Sequence, residues 1–213
     1  MKRRVKADSI IVLFLIVILI GFFAYQLIKT SPKNITSISL QEKDLDIVYG
    51  SDDVLLTVFM FTSYECKFCN NFFSEALPLL KKEYIETRKV KLVIKLVDIT
   101  NNSNILNSLK LAVCINECGN FEPIDKLLRN EPSVVYTEEF IQLTEDFIAE
   151  NNHIAEYMLS GIAESYIISN YKDFKALSLT GTPTFIINNR IYKGYKNYDT
   201  LKKKIEKELH SVL

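Results

Sequence analysis

A chain of 213 residues that is 48% apolar and 24% charged folds around a core, which excludes disorder or low complexity for most of its length. Basic and acidic residues number 26 each, but Lys2, Arg3, Arg4 and Lys6 crowd into the first eight positions against Asp8 alone, leaving 22 basic and 25 acidic groups beyond them. A mildly acidic body without a basic patch excludes nucleic acid as the main partner, since phosphate binding needs clustered Lys and Arg.

Residues 10–28, IIVLFLIVILIGFFAYQLI, are nineteen positions without a formal charge. At about 1.5 Å per residue they span about 28 Å, one hydrocarbon core. A cleaved secretory signal would carry a shorter apolar stretch and a small-x-small site, which Phe22-Phe23-Ala24 does not offer, and no cysteine follows for a lipid anchor. The reading is a single-pass signal anchor. The basic cluster of residues 1–9 keeps that end in the cytoplasm and places everything after Lys29 outside it. Residues 29–43 form a polar tether. Asn34-Ile35-Thr36 and Asn101-Asn102-Ser103 match a glycosylation acceptor, a pattern common by chance.

The folded body then runs from 44 to 213. Residues 55–61, LLTVFMF, follow the turn residues Gly50 to Asp53 and predict a buried central strand. Phe72, Phe73, Ala76, Leu77, Leu80 and Tyr84 recur at helical spacing, with Pro78 predicting a kink. Residues 90–97, VKLVIKLV, give a second buried strand carrying one internal charge, Lys95. Helical patterns fill about 104–176. Residues 184–187, an Asn188-Asn189 turn and residues 190–192 predict a hairpin. A last helix covers about 199–212, with Leu201, Ile205 and Leu209 as its buried stripe and Lys202 to Lys204 on its solvated face. The two histidines, His153 and His210, stand far apart, so a histidine metal site or a Ser/His/Asp triad has little to build on.

Chemistry falls to sulfur. Outside the cytoplasm thiols are oxidised or take part in oxidation, and Cys66-Lys67-Phe68-Cys69 lies between an apolar strand and an amphipathic helix. That places Cys66 exposed at a helix start, where unpaired N–H groups and the adjacent Lys67 stabilise a thiolate, and Cys69 one turn inward as the resolving sulfur. The same spacing also serves a passive disulfide or half of a zinc site, with Cys114 and Cys118 as the other half. The compartment and the strand-then-helix context speak against zinc. Cys114 and Cys118, four apart before Gly119, fit a local structural disulfide, a buried thiol pair or a second redox couple.

Three pieces in this order, GSDDVLLTVFMFTSYECKFCNNF, AVCINECGNFEPIDKLL and TGTPTFIINNRIYKG, resemble the DsbA-like thiol-disulfide oxidoreductases from about Gly50 to the C-terminus. The resemblance implies an α/β thioredoxin-like fold with an inserted helical domain, and catalysis by Cys66 and Cys69. It implies a cis proline at Pro183, whose preceding Thr182 offers backbone groups to an extended substrate strand. It implies no prosthetic group, exported proteins as substrates, and an integral membrane thiol oxidase as redox partner. Phe68 and Tyr64 would give substrates apolar contact. The chain departs from the family in having Met60 where many members carry a buried acid six positions before the first cysteine, and in its Lys67-Phe68 pair, which tunes the redox poise. Lys95 would then either approach the active site, as a similarly placed base does in relatives, or snorkel from an edge.

Overall fold

The computed structural model describes residues 12–23, 25, 33–34, 40–118 and 121–212, the side chain of Cys118 and those of 33–34 excepted. The chain divides into two compact units, Met1–Lys33 and Asn34–Leu213. In the first, residues 12–23 are helical with exposed, almost wholly apolar side chains. Among the described residues no helix is long and apolar enough to cross a membrane. The ends of the proposed anchor, including residues 10, 11 and 26–28, lie outside the described residues.

In the second unit the strands from Ile47 onward are β1 (Ile47–Tyr49), β2 (Leu56–Thr62), β3 (Val90–Leu96), β4 (Thr184–Ile187) and β5 (Arg190–Lys193). Their spatial order is β5-β4-β2-β3-β1. β2 runs parallel to β3, Phe61 opposite Lys95, and antiparallel to β4, Phe61 opposite Thr184. A core packs on each face of the sheet, so β2 carries apolar residues on both, which is why it reads as a continuous apolar run. Val58 and Met60 join a core with Phe72, Leu80, Leu201 and Ile205, while Phe61 turns to the other face with Phe174 and Leu177.

β1 is the strand that the sequence analysis left inside an unassigned stretch. It is three residues long and pairs antiparallel with β3, Ile47 opposite Ile94. Gly50 ends it at a φ of 110°, and a Cβ there would stand 3.2 Å from the Val90 carbonyl oxygen, so glycine lets the chain leave β3 at close range.

The helix after β2 is not uniform. It starts as α1 (Lys67–Asn71), widens over Phe72–Ala76, resumes as α2 (Leu77–Leu80) and widens again over Lys81–Ile85. In the first wide turn the Leu77 N–H bonds to the Phe72 carbonyl five residues back. Pro78 has no N–H, and its ring would crowd the carbonyl four residues earlier in a regular helix. A wide turn immediately before it relieves that crowding and is the form the expected kink takes.

The inserted helices are α3 (Ser103–Cys118), α4 (Phe121–Asn130), α5 (Glu138–Glu150), α6 (Asn152–Leu159) and the start of α7 (Ile162–Ala176), with a tight turn at Pro132–Tyr136. The expected hairpin is present: Asn188 and Asn189 have φ of 48° and 58°, the backbone of a two-residue turn that suits asparagine. α8 (Tyr198–Val212) closes the body with Leu201, Ile205 and Leu209 buried.

Candidate active site

Cys66 caps α1. Its backbone is extended, with φ −82° and ψ 99°, and its Sγ accepts the Cys69 N–H at 3.1 Å. The two cysteines are joined as a disulfide with their Cα atoms 5.1 Å apart. Burial divides them as a helix start should: Cys66 is half-buried, Cys69 is 0% exposed, and Phe68 between them is 58% exposed. A thiolate on Cys66 would inherit that N–H, one of the orphan donors of a helix N-terminus.

The Thr182–Pro183 peptide bond is cis. β4 starts at the next residue, and its register with β2 continues to set Pro183 beside the end of β2 from which the chain enters the CxxC turn. Pro183 is buried and its carbonyl accepts the Gly194 N–H at 2.8 Å, whereas Thr182 is half-exposed. Both residues named from the resemblance thus stand at the sheet end that carries the cysteines.

Other expected residues fall elsewhere. Tyr64 is 0% exposed, so it offers no surface to a substrate; its hydroxyl donates to Asp125 at 3.0 Å. Met60 is buried between Ile94 and Phe185. Lys95 neither snorkels nor faces the cysteines. It is 0% exposed and alternates with the Ile94 and Leu96 of the core that holds Cys69, which puts it on the opposite face of the sheet. There it pairs with Asp46 at 2.6 Å, both side chains fully buried. The Asp46 carboxylate also accepts the Tyr166 hydroxyl at 2.7 Å and the Lys43 N–H at 2.8 Å. Burial pushes the Lys95 ammonium below its ordinary pKa, with Asp46 pulling the other way.

Cys114 lies buried on α3, and of Cys118 the backbone alone, at the end of the same helix, is described. Among the described residues no group of three or more His, Cys, Asp or Glu is placed to hold a metal ion.

Sequence reasoning missed a buried charged cluster packed on the residues that flank the CxxC. Asp125 and Arg129, one turn apart on α4, are 9% and 7% exposed. Arg129 Nε donates to Asp125 at 2.9 Å, and its guanidinium lies 3.2 Å from the Phe73 ring centroid and 4.8 Å from that of Tyr64. Asn70, next after Cys69, donates to the Tyr64 carbonyl at 2.9 Å and lines with Phe73, Asp125 and Arg129 a cleft of ≈ 600 Å³. Burial first, and then the Asp125 charge, hold the Tyr64 hydroxyl well above its ordinary pKa of 10.0. Asp125 and Arg129 at i, i+4 look like an exposed helix pair in sequence; the one available signal was their place on an apolar stripe with Leu128. At the surface, Tyr136 donates to Glu65, the residue before Cys66, and this holds the tyrosine pKa up at about 12.

The sequence matches a family model described as Thioredoxin over residues 42–207. Disulfide bond formation protein D of Bacillus subtilis is 26% identical over 169 residues, covering 76% of each chain. A probable disulfide bond formation protein D of Bacillus cereus is 24% identical over 223 residues, covering 98% of each. In fold, the chain is similar to the crystal structure of Wolbachia pipientis alpha-DsbA1, with a TM-score of 0.66 at 18% identity, over 81% of this chain and 95% of that one.

Proposed function

The chain belongs to the thioredoxin family as a DsbA-like thiol-disulfide oxidoreductase, and from that premise we propose that it works outside the cytoplasm, introducing disulfides into exported proteins from a membrane anchor at residues 10–28. The observation that carries the chemistry is the division of the CxxC: a reachable sulfur on Cys66 that accepts a backbone N–H, and a buried partner on Cys69.

A substrate thiolate attacks Cys66 Sγ. The Cys66–Cys69 bond breaks, Cys69 leaves with the electron pair, and a mixed disulfide forms between substrate and Cys66. A second substrate thiolate attacks the substrate sulfur of that mixed disulfide, and Cys66 departs as the thiolate that its position at the helix start stabilises. The substrate has lost two electrons and the CxxC has gained them. An integral membrane thiol oxidase takes them away and restores the disulfide. Thr182 pairs its backbone with an extended substrate segment beside Pro183, and Phe68 supplies apolar contact. Lys67 adds a cation beside the thiolate. Cys114 and Cys118, four apart at the end of α3, are the candidates for a second disulfide. The long uncharged segment behind Lys2, Arg3, Arg4 and Lys6 supports the anchor and its orientation.

The test is a glutathione redox titration of the full chain in detergent, with each cysteine followed by alkylation and mass spectrometry. A Cys66–Cys69 potential near about −120 mV is expected for this direction of flow. A value near about −270 mV turns the reading to a reductase of exported proteins, and no reversible couple at all leaves a passive bridge.

A further inference from the structure

Resting on the exchange chemistry above, we propose that Arg129 and Asp125 act as a pair of opposed positioning residues that set how readily Cys66 holds a negative charge, Arg129 favouring the thiolate and Asp125 restraining it.

Tyr64 lies two residues before Cys66, and Phe73 lies four after Cys69. Arg129 sits against both rings, so its guanidinium is packed onto the two segments that enter and leave the CxxC. The Asn70 side chain ties the entering segment to the residue after Cys69. The pair is therefore not a remote surface bridge. It is charge delivered by the inserted domain to the buried side of the redox turn.

Burial makes that charge count. Arg129 and Asp125 side chains are 5% and 13% exposed, and charges that far from water are weakly screened. The pair is also uneven. Asp125 receives Arg129 and the Tyr64 hydroxyl, whereas Nη1 of Arg129, fully buried, has no hydrogen-bond partner. Arg129 Nη2 also lies 2.9 Å from Asp125, so the two charges form an oriented pair whose Nη1 side is left without a hydrogen-bond partner in the apolar contact between α4 and the CxxC segment. Glu65 and Lys67, the chain neighbours of Cys66, are exposed and open to screening, as are Glu122 and Lys126, which with Lys81 line the same cleft as the pair.

This also gives a place to the departure at Met60. With Met60 at that position, the buried ionic groups packed on the segments flanking the CxxC come from α4. A cation near Cys66 stabilises the reduced, thiolate form and makes the disulfide more oxidising; an anion does the reverse. Removing one partner should therefore move the couple one way, and removing the other should move it back.

The experiment uses the full chain in detergent and reads two quantities, the glutathione equilibrium constant and the Cys66 thiol pKa from the pH dependence of iodoacetamide alkylation. Arg129→Met should raise that pKa and make the disulfide about three- to tenfold less oxidising. Asp125→Asn should lower it and make the disulfide about three- to tenfold more oxidising. Arg129→Lys, which keeps the charge and loses the planar fork, should stay near wild type in both. A purely structural pair would lower the melting temperature in all three variants without opposing the sign of the redox shifts, and that result overturns the proposal. If Arg129→Met does not fold, Asp125→Asn alone decides, since an unchanged or raised Cys66 pKa overturns it. A wild-type chain with no reversible couple would instead count against the exchange chemistry, a distinct outcome.

Discussion

Among the described residues three buried carboxylates are each bonded to a base and to a tyrosine hydroxyl: Glu208, with Arg190 and Tyr192, and the contrasting pair Asp46 and Asp125, on opposite faces of one sheet. Asp46 has Lys95, Tyr166 and the Lys43 N–H; Asp125 has Arg129 and Tyr64. The chemistry is alike and the settings are not. The Asp46 set joins the segment before β1, the strand β3 and the helix α7, and Asn170 of α7 further donates to the Leu96 carbonyl at 3.0 Å. It fastens three elements that lie far apart in the chain. The Asp125 set touches the redox turn and leaves a guanidinium nitrogen without a partner. A buried ion pair is weak evidence for stability by itself, so what each cluster neighbours decides its use.

The strongest way to break the comparison is to remove Lys95. Lys95→Met strands a buried Asp46 charge and should cost about 3–5 kcal/mol in urea unfolding while leaving the Cys66–Cys69 potential of the folded protein within error. A changed potential would mean that the far side of the sheet also tunes the cysteines. The added change Asp46→Leu should recover part of that loss, because an apolar pair needs no counter-charge, the remainder being the Tyr166 hydroxyl and Lys43 N–H left without their acceptor.

A gentler pair of substitutions sharpens it. Tyr166→Phe takes a hydroxyl from a carboxylate with 0% side-chain exposure and should cost about 1–2 kcal/mol. Tyr64→Phe should cost about 1 kcal/mol, since the Asp125 side chain, 13% exposed, can still turn an oxygen to water where Asp46 cannot. Chemical denaturation of the two variants side by side measures the difference, and a larger loss for Tyr64→Phe would reverse the assignment of the structural cluster.

The smallest effect is one in which the clusters should behave alike. Burial holds the Tyr64 and Tyr166 hydroxyls well above 10.0. Above pH 10 the unfolded chain has lost those protons and the folded chain retains them, so the unfolded state binds fewer protons and stability falls as pH rises. Each phenylalanine variant should lose stability more slowly than wild type, by about 1 kcal/mol over the pH unit above 10. Equal slopes in variant and wild type would show that the hydroxyls titrate normally.

What could be read from sequence follows from range. β2, β3, the Asn188-Asn189 hairpin and α8 are set by periodicity and turn chemistry within a few residues, and each falls within about two residues of its expected bounds. The CxxC site was legible for the same reason, since strand, cap and helix are contiguous. β1 was not, because a three-residue edge strand with Val48 exposed has no periodicity to detect. Nor were the partners of Lys95 and Tyr64, which lie 49 and 61 positions away. A lone charge in an apolar strand announces that it needs a partner without saying which. Tyr64 read as a contact residue because an aromatic beside a reactive cysteine looks useful at the surface, whereas the hydroxyl acceptor that draws it inward sits on α4.

The unequal exposure of Cys66 and Cys69 bears on timing. In the proposed exchange a substrate sulfur would meet the partly exposed Cys66 and not the fully buried Cys69, so a mixed disulfide would have two exits: the substrate's own second thiol, or Cys69 from beneath. The inner exit is always at hand. Its effective concentration is fixed by the 5.1 Å between the two Cα atoms and not by anything in solution. It acts as an internal clock against which every captured substrate must fold. On that proposal a chain whose second thiol comes within reach before the clock runs out would leave oxidised, and one that is slower would be returned as it arrived.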